Sequence, residues 1–198
     1  KNLEFLPDLK KFRVKVPFNP EKPPLVNNRY SAQSRLNTLM SHLERYPQKR
    51  ELYLQAMKKY LDKNHCCPIT EVDERVDEVF YLPHSGVLEP LPDGEGVKIR
   101  IVFDCSAKDR MGNSLNDNMV TGPVPDSNLV RILSIWRKSN YGFNMDVKDC
   151  FLNILLHPDD QNRFRFLWYP DGIRTEEPII YKFTSLITGS KSSPWTSS

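Results

Sequence analysis

Residues Phe143-Asn144-Met145-Asp146-Val147-Lys148-Asp149-Cys150-Phe151 form an apolar, strand-like run that ends on a carboxylate and carries an aromatic ring five positions after it. A strand that delivers one aspartate at its end presents oxygen ligands suited to Mg²⁺, and such an ion can be held against the phosphates of an incoming nucleotide. The turn that follows brings backbone N–H groups towards those phosphates, and a flat ring at the fifth position fits beneath the sugar. This arrangement would serve metal-assisted nucleotidyl transfer. A strand that ends in Asp before a polar turn is also a common structural device in α/β proteins, so the run acquires a function only from its neighbours.

The elements that must position these residues are readable from periodicity and turn chemistry. Residues 1–28 carry Pro17, Pro20, Pro23 and Pro24 in quick succession, which predicts an extended lead-in with little helix. From Ser31 the apolar positions Leu36, Leu39, Met40 and Leu43 recur at helical spacing until Pro47. A second helix from Lys49 sets Leu52, Ala56, Tyr60 and Leu61 on one face, so residues 29–65 read as a helical hairpin. Residues 79–82 and 98–104 alternate like half-buried strands, with Pro90-Leu91-Pro92-Asp93-Gly94 as the turn between them. Residues 127–138 carry Leu129, Ile132, Leu133 and Trp136 on a helix that Asp126 or Ser127 would cap and that should pack beneath the sheet. The Asp146 strand, a short helical turn through Phe151, and a hairpin of residues 163–169 and 179–183 around Pro170-Asp171-Gly172 complete the series. The fold class is α/β (α+β).

At 198 residues the chain is long enough for one ordinary domain or two small lobes, and 39% hydrophobic residues can fill a core. No apolar run approaches the roughly 18 residues of a membrane span, and the N-terminus has no signal-peptide pattern, so no membrane partner is expected. Net charge is +3 but unevenly spread: residues 1–65 hold 14 Lys/Arg against 6 Asp/Glu, residues 66–96 hold 1 against 8, and residues 97–198 hold 13 against 11. A basic first third suits a phosphate backbone, since each neutralised phosphate releases condensed counterions; it equally suits a pair of solvated helices. The acidic stretch 71–78 reads as a surface linker. Four cysteines, at 66, 67, 105 and 150, read as reduced thiols of an intracellular protein. Cys66 and Cys67 beside His65 lack the two-residue gap of a zinc knuckle and have no second ligand pair at suitable spacing. His84 and His157 stand alone and read as structural.

Further segments stand in a fixed order around Asp146. Upstream are Val97-Lys98-Ile99-Arg100-Ile101-Val102-Phe103-Asp104-Cys105-Ser106-Ala107-Lys108, then Asn113-Ser114-Leu115-Asn116-Asp117 and Gly122-Pro123. Downstream are Asp160-Gln161-Asn162-Arg163-Phe164-Arg165-Phe166-Leu167-Trp168 and Ile187-Thr188-Gly189-Ser190-Lys191-Ser192-Ser193-Pro194. In that order and at those spacings the segments resemble the fingers and first half of the palm of a reverse transcriptase. The resemblance is closest to the RNA-directed DNA polymerases of BEL/Pao-type LTR retrotransposons. There a phrase like Phe80-Tyr81-Leu82-Pro83-His84 precedes a Lys/Arg-rich strand, a Ser-Ala-Lys loop, a Ser-Leu-Asn-Asp segment and the catalytic Asp strand. Lys22-Pro23-Pro24-Leu25-Val26-Asn27-Asn28-Arg29, followed by the helical Arg35-Leu36 run, resembles the region just before that polymerase. Together these cover roughly residues 12 to 196.

The resemblance implies a right-hand polymerase, with fingers and an incomplete palm over residues 97–198 and an acidic linker with the first fingers strand over 66–96. It implies Asp146 as the first catalytic aspartate and, with the carbonyl of Val147, as a ligand of Mg²⁺, of which the complete enzyme uses two ions between the primer 3′-hydroxyl and the triphosphate. The N–H groups of Asp149 and Cys150 would face the β- and γ-phosphates, while the Asp149 carboxylate points away and is no metal ligand. Phe151 falls at the sugar gate, where a ring under C2′ collides with a ribose hydroxyl; it is equally placed to be a core aromatic of a helical turn. Arg100, with Lys98 on the same strand face, falls where the family holds the incoming triphosphate with a permanently charged fork, or else on the exposed edge of a hairpin. Asp104 matches a further family aspartate near the turn. The Gly189 loop resembles the segment that packs against the templating base and the nucleotide sugar, with Thr188 where retroviral enzymes have Gln, Lys191 exposed, and Ser193-Pro194 opening the next helix.

The implied partners are an RNA or DNA template with its primer, a deoxynucleoside triphosphate and the remainder of a Pol polyprotein, in a cytoplasmic nucleoprotein particle or the nucleus. The second carboxylate pair of such enzymes, a Tyr-X-Asp-Asp turn, occurs nowhere in the 198 residues, so the expectation is a fragment that stops short of that pair and is inactive alone. The alternative is a nucleic-acid-binding module without chemistry or a structural remnant of the polyprotein. The module would need the basic first third and Arg100 but not Asp146; the remnant would need neither.

Overall fold

The computed structural model describes residues 3–70, 79–91, 94–122, 129–138, 140–143, 145–174 and 177–193. The lead-in is more ordered than its prolines suggest. β1 (Leu3–Leu6) and β2 (Lys11–Val14) form an antiparallel hairpin closed by a turn in which Lys10 donates to the Pro7 carbonyl. Beyond it the chain is extended, as the prolines require, but anchored. Val14, Val16 and Leu25 are buried, the Val16 N–H donates to the buried Asp160 carboxylate at 2.8 Å, and the Val26 N–H donates to Asp109 at 3.0 Å.

Two helices answer the apolar periodicity directly. α1 (Arg29–Arg45) buries Ala32, Leu36, Met40 and Leu43, and α2 (Pro47–Asp62) buries Tyr53 and Met57. Pro47 opens α2, a position whose N–H has no intrahelical partner to lose. β3 (Cys66–Pro68) follows α2, then β4 (His84–Pro90) and β5 (Val97–Phe103) pair antiparallel with His84 opposite Phe103. The hairpin expected from residue 79 therefore starts later, at His84. Residues 79–82 are buried but find other partners: the Asn28 amide closes on Tyr81 from both sides at 2.7 and 2.8 Å, and Phe80 and Leu82 bond to the backbone of Arg165. All four residues of this run are buried, so the half-buried strand expected there is not realised.

α3 (Leu115–Asn118) is a single turn closed by a reciprocal cap between Ser114 and Asp117. α4 (Leu129–Trp136) forms where periodicity predicts, but none of its residues is buried, so it does not pack beneath a sheet among the described residues. Residues 143 and 145–147 are exposed and belong to no strand, contrary to the expected Asp146 strand. Both segments carry apolar side chains for which the described residues supply no covering surface, and a strand without a neighbour has no ladder to join. After a 3₁₀ turn at Phe151–Asn153 comes β6 (Leu155–Leu156), parallel to β2. β7 (Arg165–Trp168) and β8 (Ile179–Phe183) then form the predicted hairpin, with β3 on the far side of β8. The acidic linker 71–78, Pro92-Asp93, Pro123, the Asp126 and Ser127 cap and Pro194 lie outside the described residues.

The three sheets and two helices share a ring-rich core. Phe103 lies 4.6 Å from Phe183 and 5.1 Å from Phe166 between centroids, and Tyr53 packs on Trp168 at 5.4 Å. His84 sits among them, with Nδ1 2.5 Å from the Tyr53 hydroxyl and Nε2 2.9 Å from the Leu167 carbonyl. Burial lowers its pKa to about 4, so it is neutral. A carbonyl can only accept, so Nε2 carries the proton and Nδ1 accepts from Tyr53. No helix among the described residues is long and apolar enough to cross a membrane.

Candidate functional site

Alternation along β5 sends Ile99, Ile101 and Phe103 into the core and leaves Lys98 and Arg100 on the outer face. Below that face a pocket of about 230 Å³ opens between β5, the last turn of α2 and the turn that precedes Phe151. Lys98, Arg100 and Asp149 all line it. Lys59, Tyr60, Lys63, His65 and Glu89 line it too, and sequence spacing gave no hint of them.

Each wall has a local cause. Glu89 stands opposite Lys98 in the hairpin register and holds both strand cations, Arg100 Nε at 3.0 Å and Lys98 Nζ at 3.5 Å. Cross-strand pairs this exposed contribute about 0–1 kcal/mol and exchange readily with a better anion. On the other side α2 ends at Asp62, Asn64 takes a left-handed conformation (φ 55°), and the His65 N–H returns to the Tyr60 carbonyl at 3.0 Å. That turn leaves Lys63 facing Asp149, with Nζ 2.8 Å from Oδ2. Asp149 is itself left-handed (φ 54°), and the Asn153 amide supports it by donating to the Lys148 and Asp149 carbonyls at 3.2 Å. Among the described residues the N–H groups of Asp149 and Cys150 donate no hydrogen bond.

Four cations against two carboxylates make the pocket electropositive. The hydrogen bond from Lys63 does most to hold the Asp149 carboxyl below its ordinary range, against an opposing effect of burial. Burial pushes the Tyr60 hydroxyl up, reinforced by Asp149 and opposed by Arg100. Burial and then the charges of Lys63 and Lys11 push His65 down, opposed by Asp149 and the Leu152 backbone.

The other predicted residues are placed less tightly. Cys150 and Phe151 are half-buried just beyond the pocket turn, Phe151 packing against the core, so its core role is realised. Asp146 is exposed between Met145, 90% exposed, and Val147, 64% exposed. Among the described residues no three His, Cys, Asp or Glu side chains gather closely enough to hold a metal ion. Asp146 alone is therefore not a donor set for two Mg²⁺ ions. The adjacent pair Asp159-Asp160 is occupied elsewhere: Asp160 accepts from Val16 and Arg163, and Asp159 pairs with Lys15 at 3.1 Å.

Gly189 belongs to a second cluster that joins three of the quoted motifs. The Asn116 amide donates to the Gly189 carbonyl at 3.1 Å and to Ser106 Oγ at 2.9 Å, and its oxygen accepts from the Lys191 N–H at 2.8 Å. Gly189 has φ 102°, and a Cβ there would meet the Phe103 carbonyl at 3.1 Å, so only glycine lets the loop close on the end of β5. Lys108 reaches from the Ser-Ala-Lys loop to Asp117, and this bond, then those from Ser114, lower the Asp117 pKa to about 2. Asp104 pairs with Arg35 at 2.7 Å. These motif residues have internal structural duties.

No family model matches this sequence. No curated protein matches it either. Solved structures similar to the chain include that of a foamy viral protease-reverse transcriptase in complex with double-stranded DNA, with TM-score 0.46 and 19% sequence identity over 72% of this chain. The matched part spans 21% of the length of that viral protein.

Proposed function

We propose that the chain is the nucleotide-holding part of an RNA-directed DNA polymerase of the BEL/Pao retrotransposon kind, comprising fingers and the first stretch of palm. The observation that carries this reading is the pocket in which Lys98 and Arg100, on one face of β5, look across at the Asp149 turn. A deoxynucleoside triphosphate, with more charge than one carboxylate, would draw these cations away from Glu89. Arg100 offers a planar fork and Lys98 a point charge, and the uncommitted N–H groups of Asp149 and Cys150 add neutral donors. Phe151, on the next residue of the chain, would limit the sugar. The basic first third would carry the primer and template through phosphate contacts. The setting would be a cytoplasmic or nuclear nucleoprotein particle formed with the rest of a Pol polyprotein.

Mg²⁺, when bound, would neutralise phosphate charge and activate the primer hydroxyl. From this chain Asp146 and the Val147 carbonyl would be its ligands, and the described residues bind and orient the nucleotide without completing that donor set. The lone, exposed Asp146 favours a second reading, a nucleotide- and nucleic-acid-binding module without chemistry. Calorimetric titration of a deoxynucleoside triphosphate into the chain tests the first part: Arg100→Ala should weaken binding about tenfold, and unchanged binding would refute the pocket. Mg²⁺ separates the two readings. Under polymerase chemistry it strengthens binding and Asp146→Asn abolishes the gain; under the module reading Asp146→Asn changes nothing.

A further inference from the structure

The fingers-side cations Lys98 and Arg100 form only one wall of the pocket, and the opposite wall is the end of α2, which none of the roles above uses. Resting on the reading of this pocket as a nucleotide site, we infer that Lys63 is a polyphosphate-binding residue, parked on Asp149 until a ligand with more charge displaces it. Lys59 in the last turn of α2 and Lys63 just after it both border the pocket, facing Lys98 and Arg100 across it. A polyphosphate in that space meets cations on both sides.

The Lys63–Asp149 pair has the properties of a temporary contact. It is a single bond at 2.8 Å between side chains 52% and 36% exposed, so solvent screens it, and pairs of this kind contribute about 0–1 kcal/mol. A phosphate chain offers several oxygens and more charge than one carboxylate, and the lysine stem swings without moving the backbone. The geometry also constrains Asp149. Unpaired, its carboxylate would repel a phosphate that the Asp149 and Cys150 N–H groups attract; paired with Lys63 it is neutralised.

The test uses sodium tripolyphosphate and the whole chain, titrated calorimetrically without divalent cations so that only protein groups bind. Lys63→Met should weaken binding about tenfold, the loss of one charge-assisted hydrogen bond, and Lys63→Arg should restore most of it. Asp149→Asn breaks the same ion pair from the other side and should leave binding equal or tighter. If Asp149→Asn weakens binding as much as Lys63→Met, the lysine merely props the turn and the inference fails. It fails also if Lys63→Met is silent while Arg100→Met weakens binding, an outcome that leaves the nucleotide reading standing. If the unaltered chain does not bind, or Arg100→Met and Lys98→Met are both silent, the nucleotide reading falls and the role of Lys63 with it.

Discussion

The rings around His84 and the stretch from Leu129 to Val147 are both rich in apolar side chains, yet they end in opposite environments. Tyr53, Phe103, Phe166, Trp168 and Phe183 are essentially inaccessible, whereas Trp136, Tyr141, Phe143 and Met145 are exposed, Phe143 by 89%. Hydrophobicity does not separate the two groups. Each ring of the first group has an opposing surface, β5 packing on α2 and β7 pairing with β8, while the second has none among the described residues. An apolar side chain makes burial favourable, and a second surface is needed to achieve it. The functional candidates divide the same way. Lys98, Arg100 and Asp149 stand at the rim of the packed region and share a pocket; Asp146 stands in the exposed stretch without a metal-binding partner among the described residues.

The sharpest way to break this contrast is to truncate one ring on each side. Phe103→Ala should cost about 3–5 kcal/mol and Phe143→Ala less than about 0.5 kcal/mol in urea denaturation, and equal losses would erase the distinction. The next test uses pH. Buried His84 keeps its pKa near 4 while the unfolded chain titrates near 6.5, so its contribution is complete above 6.5 and is lost as pH falls from there to 4. The loss should approach about 3 kcal/mol. Stability that stayed flat over that window would mean the core admits water. Gly189→Ala should cost about 1–2 kcal/mol, since the loop must give up either its left-handed backbone or its approach to Phe103. A neutral result would show the Asn116 cluster to be loose. Glu89→Gln should change stability by no more than about 1 kcal/mol. Its larger effect should be tighter tripolyphosphate binding as Lys98 and Arg100 are released, and weaker binding would show that Glu89 aligns them.

What the sequence revealed and what it hid follow from the range of the interactions involved. α1, α2, β5 and the β7–β8 hairpin rest on local periodicity, and all four lie close to where the apolar positions put them. The Ser114 to Asp117 motif was visible and is explained by capping, which is also local. The partner of residues 79–82 was not visible, because it is the Asn28 side chain and Arg165 backbone, 53 and 84 residues away for Tyr81. The β1–β2 hairpin was masked by the proline-rich character of the segment that contains it. Lys98 and Arg100 were legible as neighbours on one strand face. Lys63 was not, since nothing in spacing ties position 63 to position 149, 86 residues on. Asp146 was legible as a motif, but a motif does not supply the surrounding sheet that a strand end requires.

The central claim is that the β5 cations and the Asp149 turn bind one nucleotide together. Backbone amide NMR of the ¹⁵N-labelled chain during titration with a deoxynucleoside triphosphate tests it most directly. The account predicts that the amides of Lys98, Arg100, Asp149 and Cys150 shift along one saturable curve, with Lys63 following them. Shifts confined to the α1–α2 elbow at Tyr46, or to only one of the two walls, would contradict it.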